Sequence, residues 1–274
     1  MEIKRTFDIL DRLRTNFQKT DLLSAKINQQ WKCYSTDDFY EFAHKIASGL
    51  LHLGLHKGDR VAIMAGNMPE WNMVDYGCQL AGMPTVPIYP TLSQSDLIFI
   101  LNHSAAQIIF ISDKAVCKKV LEVKAQTQIK QVVSLRPLEG VLSLDEFATE
   151  GLRLQYNQAL QQRSQEITEN DLLSILYTSG TTGTPKGVMI QHAQMVANIH
   201  ACKNIIPFKS NWRALSFLPL NHVFERMVNT LYLYHGISIY YAESLEKIGD
   251  NARELKPEVF VAVPRLLEKV MDRI

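Results

Sequence analysis

The sequence lacks the usual signals of a secreted, membrane-spanning or disulfide-stabilised protein. Its four cysteines are far apart, and no C-x-x-C pair suggests a zinc or redox site. The first residues lack the apolar core of a signal peptide, and no run of about 18 apolar residues predicts a transmembrane helix. We therefore expect a cytoplasmic protein whose cysteines are reduced and mostly buried.

An excess of charge of either sign is also missing. The formal net charge is +1, which gives no electrostatic reason to expect nucleic acid or an anionic membrane surface as a partner. The histidines at positions 103, 192, 200 and 235 show no metal-ligand spacing, so a metalloenzyme has little support. The 274 residues suffice for one large domain or two smaller lobes with a sizeable core.

Segments typical of strands and helices alternate along most of the chain. Apolar runs predict strands at residues 60–64, 85–89, 107–111, 131–135, 172–177, 187–190, 214–218, 237–241 and 259–263. Helices are predicted at 69–81, from Ser93, at 115–125, 192–205, 222–234 and 244–255, and from Pro264 onward.

Prolines place the segment 85–89 at a strand end or a sheet edge, and residues 161–166 suggest a polar connection. The alternation predicts an α/β fold with stacked, largely parallel sheets flanked by helices. In such folds, ligands bind beyond the carboxyl ends of the strands.

A loop rich in glycine and hydroxyl residues follows the strand predicted at 172–177. Its sequence, YTSGTTGTPKG, spans residues 177–187. Glycines let the backbone approach an anion closely, successive N–H groups form an anion-binding concavity, and Lys186 adds a cation. The loop differs from the common P-loop because Lys186 precedes a glycine. It predicts a phosphate site formed by Thr178, Ser179, Gly180, Thr181, Thr182, Gly183, Thr184 and Lys186.

This loop resembles, nearly residue for residue, the phosphate loop of the adenylate-forming superfamily. That superfamily includes AMP-forming acyl-CoA synthetases, adenylation domains and luciferases. The resemblance implies that the loop cradles the phosphates of ATP and that Lys186 neutralises departing pyrophosphate. It further implies that Thr181 shares Mg²⁺ with an acidic residue.

A second motif, LPLNHVFER at residues 218–226, resembles a pattern found especially in long-chain acyl-CoA synthetases. The resemblance implies that His222 borders the acyl chain near the α-phosphate, which makes Lys186 and His222 the candidate catalytic residues. The alternative for His222 is a capping or packing role at a helix start. For Glu225 and Arg226 we expect an ion pair that braces the helix, and for Arg265, in a segment similar to the same group, a structural role.

The reaction implied by the resemblance joins a fatty acid to coenzyme A at the expense of ATP, through an acyl-adenylate. ATP, Mg²⁺ and coenzyme A are therefore the expected cofactors and substrates, without nucleic acid. A peripheral contact with a membrane is compatible with a fatty acid substrate.

Other parts of the family's site are missing from this sequence. It contains no Y-G-x-T-E segment for adenine and metal, no T-G-D motif for ribose and no mobile C-terminal domain. We expect residues 1–274 to be a truncated N-terminal domain with sublobes at approximately 1–170 and 171–274. Such a chain would be nearly inert as a ligase, would bind nucleotide no better than about millimolar, and would self-associate through open sheet edges.

Two other interpretations stay open. The chain could come from another adenylate-former, such as an acyl-AMP ligase or a peptide-synthetase adenylation domain. It could also be a non-catalytic nucleotide-binding module.

Overall fold

A computed structural model describes the backbone at residues 2–150, 154–178 and 184–264, and the side chains of those residues except 154–157. Five of the predicted phosphate-loop residues, 179–183, lie outside this description, as do Arg265 and the helix expected beyond Pro264.

The described residues form two sheets. The strands are β1 Leu23–Ile27, β2 Gln30–Tyr34, β3 Arg60–Met64, β4 Thr85–Pro87, β5 Ala106–Ile111, β6 Gln131–Ser134, β7 Leu142–Ser143, β8 Leu172–Thr178, β9 Lys186–Gln191, β10 Arg213–Ser216 and β11 Ser238–Tyr241. A seven-stranded sheet has the order β7-β6-β5-β3-β4-β8-β9, in which only the β8–β9 pair is antiparallel. A four-stranded sheet has the order β10-β11-β1-β2.

Helices cover these sheets. They are α1 Asp8–Asn16, α2 Thr36–His52, α3 Pro69–Leu80, α4 Gln94–Ser104, α5 Lys114–Val123, α6 Leu144–Glu150, α7 Leu154–Glu166, α8 His192–Cys202, α9 Val223–Tyr234 and α10 Ile248–Leu255. Every residue of α3 is buried, because the helix is enclosed on all sides by neighbouring elements. The α/β architecture with largely parallel sheets is thereby confirmed.

Local signals explain several boundaries. The Ser93 hydroxyl accepts from the Asp96 backbone N–H at 3.1 Å and caps α4, as predicted. Pro69 opens α3, where its missing N–H has no helical partner to lose. Gly82 has φ +70° directly after that helix ends, a conformation that a residue without Cβ adopts at low cost.

Some predicted elements were wrong. Residues 161–166 belong to α7, not to a polar connection. Segment 259–263 forms a single bridge, Val259 to Ala214, in place of a strand. Strand β4 ends at Pro87 as expected but is not at an edge, because it lies between β3 and β8. The amino-terminal strands β1 and β2 had not been predicted, and the sublobe boundary near 170 stays a prediction.

Candidate functional site

The predicted phosphate loop connects the two strands of the β8–β9 hairpin. Thr178, the last residue of β8, pairs in register with Lys186, the first residue of β9. Both side chains are exposed, as is Thr184. Because β8 runs parallel to β4 and β4 runs parallel to β3, Thr178 lies at the carboxyl edge of the parallel strands. The two ends of the loop thus lie at the edge of the sheet where this kind of fold binds ligands.

Contacts of Tyr177 and Gly187, next to the loop, fix the position of the hairpin. The Tyr177 hydroxyl lies 2.7 Å from Nδ1 of His103, on α4. Burial raises the pKa of Tyr177, so its hydroxyl stays protonated and shares a hydrogen bond with that nitrogen. At Gly187, a Cβ atom would lie 3.0 Å from Cγ2 of Ile175 and 3.3 Å from Cζ of Tyr177. Glycine therefore lets β9 approach the strand that carries the loop.

A cavity of about 580 Å³ opens at the ends of four strands. Its lining comes from residues that follow β3 (66–67), β4 (89–91), β10 (217–219 and 221) and β11 (242–245), together with Val263. The cavity therefore lies where the two sheets meet. Sequence reasoning missed Asn67, Tyr89 and Asn221 as lining residues. Asn67 and Asn221 come just after predicted strands and Tyr89 ends one, and that position was the signal that would have found them.

Two asparagines join the sheets beside this cavity. Nδ2 of Asn67 donates to the carbonyl of Leu218 at 2.6 Å, and Oδ1 of Asn67 accepts from the backbone N–H of Leu220 at 2.9 Å. Nδ2 of Asn221 donates to the carbonyl of Ala65 at 2.9 Å, and its Oδ1 accepts from Nε1 of Trp71 at 3.3 Å. The segment that leads into α9 is consequently tied to the end of β3.

His222 follows this segment as the N-cap of α9. Its Nδ1 accepts from the backbone N–H of Phe224 at 3.2 Å. This bond selects the neutral tautomer with hydrogen on Nε2, which leaves Nε2–H as a donor. The side chain is exposed, and within the described residues it has no hydrogen bond to Thr178, Thr184 or Lys186. Nδ1 of His222 therefore has the expected capping role, and Nε2 is left to bind a ligand.

The expected ion pair between Glu225 and Arg226 is wrong. Glu225 accepts from the Ser216 hydroxyl at 2.6 Å and from Nδ2 of Asn229 at 3.1 Å. Arg226 instead pairs with Asp75 on α3, with 2.6 Å between Nη2 and Oδ1. Adjacent helical residues point in different directions, so each side chain reaches a different neighbouring element.

Carboxylates are missing from the sequence around the hairpin. Residues 172–224 contain no Asp or Glu but include Lys186, Lys203, Lys209 and Arg213. Of these four cations, Lys186 is the one that lies on the hairpin. In the part of the chain that the structure describes, no group of three His, Cys, Asp or Glu side chains could hold a metal ion. Mg²⁺ bound with a nucleotide needs only one or two protein ligands, so this does not bear on Thr181, which lies outside the described residues and stays a prediction.

An α/β fold with a hairpin at the carboxyl edge of its parallel strands, whose loop is predicted to bind phosphate, defines a candidate nucleotide-binding protein. The model of the AMP-binding enzyme family matches residues 14–273, and the chain belongs to that family. It is 33% identical over 232 residues to the peroxisomal long chain acyl-CoA synthetase 6 of Arabidopsis thaliana, covering 82% of this chain and 33% of the relative. It is 29% identical to the human long-chain-fatty-acid–CoA ligase 1, covering 92% of this chain and 38% of that relative.

Solved structures agree on the fold. A long-chain-fatty-acid–CoA ligase from Archaeoglobus fulgidus superimposes with a TM-score of 0.82, at 23% identity, over 99% of this chain and 54% of that one. An anthranilate CoA ligase bound to anthranoyl-AMP superimposes with a TM-score of 0.79, at 18% identity, over 93% of this chain and 49% of that one. The chain spans about a third of the length of the curated relatives it matches.

Proposed function

We propose that this chain provides the phosphate-binding part of a site that activates a fatty acid with ATP, giving an acyl-adenylate and then an acyl-CoA thioester. The observation that carries the proposal is the position of Thr178 and Lys186. They pair at the loop end of the hairpin, on the carboxyl edge of the sheet. Membership of the AMP-binding enzyme family and the similarity to long-chain acyl-CoA synthetases support it.

In the first step, a carboxylate oxygen of the acid attacks the α-phosphorus of ATP. An acyl–phosphate bond forms, the bond between the α-phosphorus and its bridging oxygen breaks, and pyrophosphate leaves with the bond's electrons. Lys186 is placed to offset the charge on the leaving group, and the hydroxyls of Thr178 and Thr184 offer donors to the phosphate oxygens. The Lys186 ammonium thus stabilises the transition state most, because negative charge builds up there on the departing pyrophosphate.

In the second step, the sulfur of coenzyme A attacks the acyl carbonyl, and AMP leaves. The Nε2–H group of His222 is a donor for oxygen atoms of the adenylate if they reach the start of α9. Mg²⁺ would supply charge neutralisation to the phosphates when bound with ATP, and Thr181 is its expected ligand in this chain. The two steps therefore rest on positioning and on charge stabilisation.

The cavity at the ends of β3, β4, β10 and β11 favours an acid with an apolar chain, because its lining is mostly apolar although it includes Glu243. Phe217, Leu218, Leu245 and Val263 lie on its wall, and Tyr89 lies at the end of β4. Burial raises the pKa of Tyr89, so its hydroxyl is neutral at ordinary pH. A fatty acid matches this lining better than a charged or strongly polar acid does.

We further propose a peripheral membrane contact through residues 203–209. Ile205 is 73% exposed and Ile206 is 42% exposed, between Lys203 and Lys209. Adjacent apolar side chains with flanking lysines suit the interface of an anionic bilayer. The low net charge of the whole chain hides this local pattern, because the acidic residues lie elsewhere in the sequence.

ATP–pyrophosphate exchange and thioester formation test the proposed activity, with acids from acetate to oleate. Exchange that depends on a long-chain acid supports fatty acid activation, and thioester formation supports the second step. Exchange that depends on an acid but gives no thioester favours an acyl-AMP ligase or another adenylate-former. Residues 1–274 alone are expected to bind nucleotide and to show neither reaction, so the assay is run side by side on this chain and on any longer reading frame that contains it. The absence of both reactions from the longer chain favours the non-catalytic module.

A further inference from the structure

A buried ion pair links α3 to α9. The side chains of Asp75 and Arg226 are each 3% exposed. Nη2 of Arg226 donates to Oδ1 of Asp75 at 2.6 Å, and Nε donates to Oδ2 at 3.2 Å. Nε2 of Gln79 also donates to Oδ2 at 2.9 Å. The two charges are therefore held in a bidentate geometry that only the guanidinium fork provides.

Thr85 extends this pair to the sheet. Its Oγ1 accepts from Nη2 of Arg226 at 3.1 Å and donates to Oδ1 of Asp75 at 2.9 Å. Thr85 lies on β4 directly opposite Ser174 of β8. The Ser174 hydroxyl donates to the Thr85 carbonyl at 2.8 Å and lies 3.3 Å from its Oγ1. A continuous chain of buried polar contacts thus runs from α9 to the strand that ends at Thr178.

We propose that Arg226, through Asp75 and Thr85, is a positioning residue that fixes the start of α9 relative to β8. Arg226 lies one turn after His222, whose carbonyl accepts from the Arg226 backbone N–H at 3.2 Å. Ser174 lies four residues before Thr178 along β8. The network therefore sets the distance between the two parts of the site assigned under the proposed function, on which this inference rests.

Stability alone does not explain the network well. A buried ion pair is often no more stabilising than well-packed apolar residues of similar volume, because both charges lose their hydration. Two further buried polar atoms in the network, Nη1 of Arg226 and Oε1 of Gln79, have no hydrogen-bond partner among the described residues. Fixing one arrangement of α3, α9 and β4 is a use that such a network serves and an apolar contact does not.

The sharpest test is Thr85→Val, because it removes the link to the sheet and leaves both members of the ion pair in place. Thr36→Val is the matched control. Thr36, the first residue of α2, is also a buried threonine. Its hydroxyl donates to the carbonyl of Phe17 at 2.7 Å and accepts from the backbone N–H of Lys19 at 3.0 Å. Ser174→Ala provides a second variant that removes the link from the β8 side.

Two readouts are compared well below the melting temperature of every variant. We expect Thr85→Val and Ser174→Ala to weaken binding of ATP and pyrophosphate by about threefold to tenfold, the size expected for one hydrogen bond. We also expect faster amide hydrogen exchange in both β8 and the first turn of α9. Thr36→Val should change neither readout, even where it lowers the melting temperature by as much.

Three results would overturn the inference. They are unchanged exchange at α9 in Thr85→Val, an equal loss of binding in Thr36→Val, and unchanged binding in both network variants. If the unaltered chain binds no nucleotide, the proposed function fails and hydrogen exchange alone decides the inference. Joint loosening of β8 and α9 then supports it, and loosening confined to β4 contradicts it.

Discussion

Thr178 and Lys186 lie opposite each other at the loop end of the β8–β9 hairpin, where the strand pairing stops and the glycine-rich loop begins. This pairing holds both ends of the loop at a fixed separation. The strands therefore bear most of the cost of ordering the loop ends before a ligand arrives. A loop whose two ends are held in this way, with a cation at one of them, suits a phosphate better than a free polar segment would.

The contact of Asn221 with Trp71 and Ala65 predicts a stability effect. We expect Asn221→Ala to lower the free energy of unfolding by about 1–3 kcal/mol, because it leaves a buried indole N–H and a buried carbonyl without partners. Urea unfolding measures the difference. Asn211→Ala, at an exposed position, is the control, and equal effects of the two substitutions would remove Asn221 from the junction between the sheets.

Glu225 predicts a pH dependence of stability. Burial raises its pKa from the ordinary 4.5 to about 7, although bonds from Ser216 and Asn229 partly oppose this. The folded chain therefore favours the protonated carboxyl. Its contribution is fully present below about pH 4.5 and is lost as the pH rises through about 7, a change of about 3 kcal/mol.

Replacing Glu225 with Gln removes this titration and keeps an acceptor for Ser216. We expect the variant to match the unaltered chain near pH 5 and to be the more stable of the two at pH 8, by urea unfolding at both values. Glu139→Gln, at an exposed position, should leave the pH dependence unchanged. A constant difference between pH 5 and pH 8 would contradict the assignment.

Strand β9 predicts self-association. It pairs only with β8 among the described strands, and Met189 is 64% exposed on it. An apolar edge strand with unpaired backbone groups is a template for a second copy. We expect concentration-dependent dimers by light scattering that Met189→Lys reduces and Leu121→Lys, on α5, does not. A monomer at high concentration would oppose this.

Residues 203–209 predict binding to anionic vesicles. We expect the chain to sediment with vesicles of mixed phosphatidylglycerol and phosphatidylcholine, and less with phosphatidylcholine alone. The double variant Ile205→Ser/Ile206→Ser should lose this binding by removing the inserted apolar groups. Leu53→Ser, an exposed leucine elsewhere, should not. Equal sedimentation of the two variants would count against a docking role for this segment.

Short-range patterns predicted much of the fold. The apolar run at 60–64 and the Ser93–Asp96 cap depend on neighbouring residues, so the sequence contains the whole signal. The loop at 177–187 was singled out by its composition, which is typical of a backbone that binds an anion, but the antiparallel pairing of β8 with β9 was not predicted.

Long-range partners could not be read in the same way. Arg226 has Glu225 beside it in sequence but pairs with Asp75, 151 residues away. The contacts of Asn67 and Asn221 depend on how the two sheets meet, which no local pattern in the sequence reports. The segment 259–263 has a strand pattern, yet it makes only one bridge. Tertiary context decided each of these cases.

The most direct test of the central claim is a titration of Mg·ATP and of pyrophosphate with the unaltered chain, Lys186→Ala and Lys209→Ala, followed by ³¹P NMR. We predict a dissociation constant of about a millimolar for the unaltered chain and binding weaker by about tenfold or more in Lys186→Ala, because a charge-assisted contact is lost. Lys209→Ala removes an exposed lysine elsewhere and should bind as the unaltered chain does. Equal binding by all three proteins, or none by the unaltered chain, would contradict the assignment of residues 178–186 as a phosphate site.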